Sequence, residues 1–446
     1  MAVPRRIRIL ALAVAIGSGC ATRAEAAGDF VSASGTHFVC RDAPFYYAGT
    51  NCYYLAYLCA DVAHRGEAGQ FLDICQARGL NVIRVWAFNE GGGPDAWQAT
   101  PASIYNEQAL QGLDYALYQA RLRRLKLILT LTNNWDDYGG MNWYVGHSES
   151  ADVHDDFYSD FQCRDWFKLR IQTLINRYNT WNGCLYRDDP TIFAWELANE
   201  PRAWTDPRCT RTVIRTWVSA MTAWISSLDP NHMVSIGMEG FYNWGFGSWL
   251  YYGEEGTDFV KDHQVAGVSF CTLHLYPDPG HWNLTELETK TFIDYHLADA
   301  AATIVKPLIL EEFGKLDDRR DYFLEQWTTM ISNSAAAGGA AAGWNIWMIE
   351  APGSAHDDGF SLFLPGDQAT VDLLTAQAVK MNTLTPPDAD VNLDHAVNIL
   401  DLLVIRNNLN RTPGSNAPIR TDVNRDGRIN ILDLLAVRNA LGATWP

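Results

Sequence analysis

The chain has 446 residues, 48% of them hydrophobic, and a formal net charge of −18 from 52 acidic and 34 basic side chains. That length exceeds one ordinary domain and fits a barrel-sized unit plus something small. So acidic a chain disfavours nucleic acid and anionic membranes as partners, and seventeen tryptophans with nineteen tyrosines supply more flat aromatic surface than packing usually asks for.

Arg5, Arg6 and Arg8 precede an apolar run from Ile9 to Ile16, and Ala24-Glu25-Ala26 offers a small-residue cleavage site. Residues 1–27 therefore read as an export signal, and the run is too short for a membrane span, which takes roughly 20 residues. A secreted, extracellular protein is expected. Cys20 leaves with the signal, so eight of the nine cysteines remain, an even set that an oxidising compartment permits to pair. Cys52 with Cys59 and Cys163 with Cys184 are the local pairs that short loops could close, and the sequence leaves the connectivity open. Cys75 and Cys271 lie in apolar segments and read as buried thiols.

From Phe45 to Ile349 short β-branched runs alternate with longer amphipathic stretches, the pattern of parallel strands joined by crossover helices. Strands are predicted at 46–50, 81–86, 127–132, 192–197, 233–236, 267–273, 308–310 and 343–347. Helices are predicted at 112–125, 164–179, 211–228 and 321–336. Eight strands predict an α/β fold, a (β/α)8 TIM barrel, over residues 28–382.

In such a barrel the chemistry gathers at the carboxyl ends of the strands. The fourth strand ends in Asn199-Glu200-Pro201 and the seventh in Glu311-Glu312-Phe313-Gly314, each delivering an acid from an apolar run. Paired carboxylates across a barrel mouth suit glycoside cleavage, one protonating the leaving oxygen and one attacking the anomeric carbon, and their mutual repulsion is expected to raise the pKa of the acid. Period-two alternation lets only one of Glu311 and Glu312 face inward.

These motifs resemble the acid/base and nucleophile signatures of glycoside hydrolase family five. The stretches Leu131–Gly140 and Asp189–Pro201 are similar to its endo-β-1,4-mannanase branch, a likeness covering about residues 38–383. The resemblance implies a retaining endo-β-1,4-mannanase with Glu200 as acid/base, Glu312 as nucleophile and no catalytic cofactor, acting on mannan, glucomannan or galactomannan. By the same resemblance Arg84 orients the nucleophile, Asn199 holds a sugar hydroxyl, His274 and Tyr276 line the cleft, and Trp347 stacks on sugar, with Trp344 close enough to compete for that role. Trp135 is a further sugar platform. Other β-glycanases, an exo-β-mannosidase and a non-catalytic carbohydrate-binding protein are the competing readings on the same fold.

Thr383–Pro387 reads as a stiff linker. Residues 388–446 then carry one pattern twice: Asp390, Asn392, Asp394, Asn398 and Asp401, then Asp422, Asn424, Asp426, Asn430 and Asp433, each followed by an apolar helical run. Oxygen ligands at loop positions one, three, five, nine and twelve suit Ca2+, so a small all-α domain of two EF-hand-like loop-helix repeats with two structural calcium sites is expected. Gly427 stands at position six of the second loop, where a sharp turn is needed, and His395 at that position of the first. The repeat resembles a dockerin, which implies a cohesin-bearing scaffold as partner.

Overall fold

The computed structural model describes residues 29–90, 96–205, 212–316, 319–354 and 356–445. The expected export signal and Cys209 lie outside the described residues. Three short antiparallel strands come first: β1 (Ser32–Ser34), β2 (His37–Cys40) and β3 (Ala43–Phe45). Then come β4 (Tyr47–Asn51), β5 (Val82–Trp86), β6 (Lys126–Thr130), a small hairpin of β7 (Tyr178–Asn179) and β8 (Cys184–Leu185), and β9 (Ile192–Glu196). The series ends with β10 (Met233–Ser235), β11 (Cys271–Leu275), β12 (Leu308–Phe313) and β13 (Ala341–Ile346).

Eight of these strands form one parallel sheet in the order β10-β9-β6-β5-β4-β13-β12-β11. Its two ends meet through Ser269 N donating to Val234 O at 2.8 Å and Val234 N donating to Ser269 Oγ at 3.0 Å. The sheet therefore curls into the barrel that the eight apolar runs predict. All eight strands are fully or nearly fully buried because helices cover the outside and side chains fill the inside. The N-terminal end of the barrel is plugged by β1–β3: Phe38 packs edge-on to Phe193 and Phe270, with ring centroids 5.0 and 5.3 Å away.

Two helices begin earlier than their apolar spacing suggests. Asn106 caps the helix Glu107–Leu122 by accepting from Ala109 N, and Asp160 caps Phe161–Ile175 by accepting from Cys163 N. Capping satisfies donors that hydrophobic periodicity does not register.

The disulfides that an even cysteine set and short loops permit are not formed among the described residues, whose cysteines are free thiols. Cys52 and Cys59 are wholly buried in the apolar layer between strands and helices, and burial pushes the Cys59 thiol up to about 12. Cys163 sits in the first turn of Phe161–Ile175, whereas Cys184 belongs to the hairpin that follows its last turn. A helix of that length separates them by roughly 18 Å, well beyond the reach of a disulfide.

The C-terminal unit packs Ile399–Asn408 against Ile431–Asn439 around Val391, Val397, Ile405, Val423, Ile429 and Val437. The segment between it and the barrel is stitched down: Thr385 Oγ1 accepts from Tyr46 N at 2.8 Å and donates to Tyr46 O at 3.2 Å. Among the described residues no helix is long and apolar enough to cross a membrane.

Candidate active site

Glu200 and Glu312 meet at the carboxyl end of the barrel in an open cleft of about 470 Å3, shared with Trp135, Tyr276 and Trp347. Oxygens of the two carboxylates lie within 4.8 Å of one another. Glu200 takes a left-handed backbone (φ 51°), which costs a non-glycine residue roughly 1–2 kcal/mol. Its N–H donates to Gly237 O at 2.8 Å, and a Cβ at Gly237 (φ 80°) would stand 2.0 Å from Ala198 O. A glycine is therefore required behind the strained glutamate.

One arginine ties the floor of the site together. Arg84 donates from Nε to Glu196 Oε1 at 2.8 Å, from Nη1 to Glu312 Oε2 at 2.8 Å and to Asn51 Oδ1 at 3.2 Å, and from Nη2 to Asn199 Oδ1 at 2.8 Å. Tyr276 donates its hydroxyl to the other oxygen of Glu312 at 2.8 Å. Glu200 accepts from Trp135 Nε1 at 2.7 Å and from His274 Nδ1 at 2.8 Å. Asn199 sits between Arg84 and Asn133, donating to Asn133 Oδ1 at 3.0 Å.

Two expectations are corrected. His274 does not line the cleft; it is wholly buried behind both acids, 3.7 Å from Glu312 Oε2 and 3.4 Å from Glu311 Oε2. Alternation does not hold along β12, because irregular register between Leu310 and Phe313 brings both glutamates to the interior network. Glu312 reaches the cleft, and Glu311 is sealed beneath it within 3.9 Å of Arg84. Trp347 stands in the cleft, while Trp344 is buried against Phe313.

The electrostatics also reverse the expected order. Burial alone would raise Glu200, but the hydrogen bond and charge of His274 outweigh it, with Arg202 and Trp135 adding, and pull it to about 2. Burial, joined by the charge of Glu200, lifts Glu312 above its usual range, with His274 and Arg84 drawing it partly back. Against its own burial, His274 is held well above 6.5 by Glu312 and Glu200. A histidine that the strand pattern gives no reason to place between the two acids thus holds Glu200 down, while the charge of Glu200 still adds to the rise of Glu312.

Several participants escaped sequence reasoning. Burial and the neighbouring Glu196 push Glu311 up to about 8, which favours its protonated form at neutral pH beside an ionised Glu196. Glu311→Gln, which mimics the protonated acid, is expected to change the unfolding free energy by less than about 1 kcal/mol at pH 7. Glu196→Gln, which strips a charge from Arg84, should cost about 3 kcal/mol. Equal costs in urea titrations would place the proton on the wrong acid. Arg202 was also missed: it grips Glu239, accepting oxygens lying 2.5 and 2.7 Å away, and lies over Trp135 at 5.2 Å. Its position directly after Pro201 was the only available signal.

A family model described as GH family 5 beta-mannosidase-like matches residues 28–361, and one described as Dockerin type I domain matches residues 388–442. Mannan endo-1,4-beta-mannosidase 1 of Oryza sativa subsp. japonica is 36% identical over 392 residues, 83% of this chain and 90% of that protein. Mannan endo-1,4-beta-mannosidase 7 of Arabidopsis thaliana is 36% identical over 395 residues, 84% and 91% of the two chains. Among solved structures, the endo-1,4-beta-mannanase from Rhizomucor miehei superposes with a TM-score of 0.71 at 34% identity, covering 79% of this chain and 99% of that one. The endo-beta-1,4-mannanase from Thermotoga petrophila gives 0.65 at 31% identity, covering 76% and 77%. With its barrel, its two strand-end glutamates and a family match over three quarters of its length, the chain belongs to the β-mannosidase-like branch of glycoside hydrolase family 5.

Proposed function

We propose that this protein is a secreted enzyme that hydrolyses internal β-1,4-mannosidic bonds of mannan-type polysaccharides with retention of anomeric configuration. The observation that carries the reading is the pair Glu200 and Glu312, with oxygens within 4.8 Å of one another in one aromatic-lined cleft. That spacing favours double displacement, for which carboxyl groups stand roughly 5 to 5.5 Å apart, over inversion, which needs roughly 6.5 to 9.5 Å. The relatives named mannan endo-1,4-beta-mannosidases support the substrate, and residues 1–27 support export.

Glu312, oriented by Arg84 and Tyr276, attacks the anomeric carbon. Glu200 protonates the departing oxygen and then deprotonates the water that releases the sugar. In the resting site the proton needed by Glu200 rests on His274 Nδ1, across a 2.8 Å hydrogen bond. Bound sugar excludes water, and a drier site disfavours the ion pair and favours neutral His274 beside protonated Glu200. Trp135, Trp347, Trp249 and Trp282 offer faces or edges to sugar rings.

The test of the whole reading is to incubate the protein with mannan, glucomannan, cellulose and xylan and to size the products. Mannan cut to a ladder of oligosaccharides is the expected result; release of single sugars alone, or binding without products, would overturn it. The pH profile tests the proton store. Because the folded pKa of His274 is raised, the shared proton is present below about 6.5 and is lost only as pH climbs through the higher folded value. His274→Gln should therefore move the basic limb of kcat/KM to lower pH; an unmoved limb would remove His274 from proton transfer.

In the C-terminal unit we assign both loops to structural Ca2+. Carboxylate oxygens of Asp390, Asp394 and Asp401 lie within 4.8 Å of one another, a crowding of negative charge that a cation relieves. The second loop repeats the fold of the first: Asp433 Oδ2 accepts from Asn430 N at 2.8 Å, as Asp401 Oδ2 accepts from Asn398 N at 2.8 Å. His395 (φ 72°) adopts the turn that Gly427 (φ 79°) makes freely, and it is braced by Trp445, stacked at 4.0 Å. Ile399, Leu400, Ile431 and Leu432 are exposed in equivalent places on the two helices and suit a cohesin partner. Chelation should melt the helices Ile399–Asn408 and Ile431–Asn439, seen as lost far-ultraviolet ellipticity restored by added calcium, while barrel activity persists. Ellipticity indifferent to chelator would end the metal assignment.

A further inference from the structure

Where the plugged end of the barrel meets the C-terminal unit there is a second cavity, of about 320 Å3, remote from the cleft in its lining. Five cations line it: Arg41 from the turn between β2 and β3, Arg124 and Lys126 at the start of β6, Arg420 from the turn Ile419–Thr421 and Arg425 from the second repeat. Asp388 is the one carboxylate in that lining, with Asp29 at its edge 3.0 Å from Arg41 Nη1. Such a concentration of positive charge stands out in a chain of net charge −18.

Asp29 and Asp388 are shared between Arg41 and Arg425, two carboxylates against five cations, and the remaining positive charge is met by backbone carbonyls. Arg41 Nη2 donates to the backbone carbonyls of Ile419, at 2.8 Å, and Asp422. Arg420 Nη2 donates to Pro387 O at 2.7 Å and Asp390 O at 2.9 Å, and Lys126 Nζ to Asp29 O and Pro190 O at 2.8 Å each. Arg124 Nη2 reaches Asn424 O at 3.4 Å. Arg425 takes up Asp388, both of its oxygens lying 2.9 Å from Nη2. Arg41 is 4% exposed, and its buried Nε makes no hydrogen bond, Asp388 Oδ1 standing 3.9 Å from it. Neutral carbonyls cannot cancel several guanidinium charges that repel one another in a partly dry space.

We propose that this cavity binds a small dianionic oxyanion of the sulfate or phosphate class, which bridges the barrel and the C-terminal unit. A tetrahedral dianion offers acceptors in several directions at once, as guanidinium groups arriving from three separate chain segments require, and it brings the opposite charge that the carbonyls lack. The inference is independent of the reaction assigned to the cleft, because no residue of that cleft takes part.

Sulfate is the practical probe, since it stays soluble beside the calcium that the full chain needs. Calorimetric titration of the intact protein with sodium sulfate, at ionic strength held constant with sodium chloride, should show one saturable site per chain. Arg124→Gln and Arg425→Gln should each weaken it about tenfold or more. Asp388→Asn, which removes a negative charge from the lining, should tighten it several-fold, a gain that a misfolded variant cannot mimic. Absence of saturable heat, or affinities that ignore all three substitutions, would overturn the proposal.

Discussion

Glu312→Ala should lower kcat on mannan by at least about 10^4-fold, equivalent to about 5.5 kcal/mol of transition-state stabilisation. The loss is that large because the variant keeps the groove, the aromatic platforms and the proton donor, yet has no atom to form the glycosyl bond. Truncation also leaves room below the anomeric carbon, so added azide should attack from the vacated side and yield glycosyl azide of inverted configuration, with Glu200 still assisting departure. Glu200→Ala should behave differently. With an activated aryl leaving group it still forms the intermediate on Glu312, and azide then attacks from the opposite side to give the retained product. Near-normal hydrolysis by the Glu312 variant, or the same azide stereochemistry from both, would dismiss the assignment.

What the sequence discloses, and what it conceals, follows from the range of the interactions concerned. The eight barrel strands are legible because each is a short β-branched run buried on both faces, and Glu200 and Glu312 stand out as charges ending such runs. The position of His274 is not legible: a histidine at the end of an apolar strand reads equally well as cleft or core, and only the approach of three glutamates from other strands decides it. Irregular register near Leu310 depends on neighbouring strands and defeats a period-two argument made on one strand alone. The cysteines mislead for a similar reason, since closeness along the chain says nothing of the direction in which a helix or strand turns its thiols. The cation-lined cavity lies furthest from view, because Arg41, Lys126 and Arg420 are scattered over the chain and meet only once two folded units are in contact.

The second large effect is expected at Arg84. It is 1% exposed and serves Glu196, Glu312, Asn51 and Asn199 through all three of its nitrogens. Arg84→Met should lower activity by at least about 10^3-fold, because Glu312 loses the donor that aims it, and should cost about 3–5 kcal/mol of stability at pH 7 by stranding buried carboxylates. Arg84→Lys should recover little, since one ammonium cannot reproduce a planar fork with bonds in four directions. The sign of the pH dependence separates charge from packing. Burial would raise Glu196, but Arg84 outweighs it and holds that carboxyl below 4.5, so in the parent this stability is present above about 4.5 and is lost only as pH falls through the lowered folded value. Without the arginine, burial of Glu196 is unopposed and its folded value rises above that of the unfolded chain, while the already raised Glu312 rises further, so protonation relieves the variant, whereas protonating Glu196 costs the parent. The gap in unfolding free energy between parent and Arg84→Met should therefore be widest near pH 7 and close on acidification. A gap of equal size at pH 7 and pH 4.5 would mean that Arg84 acts through its volume and not through its charge.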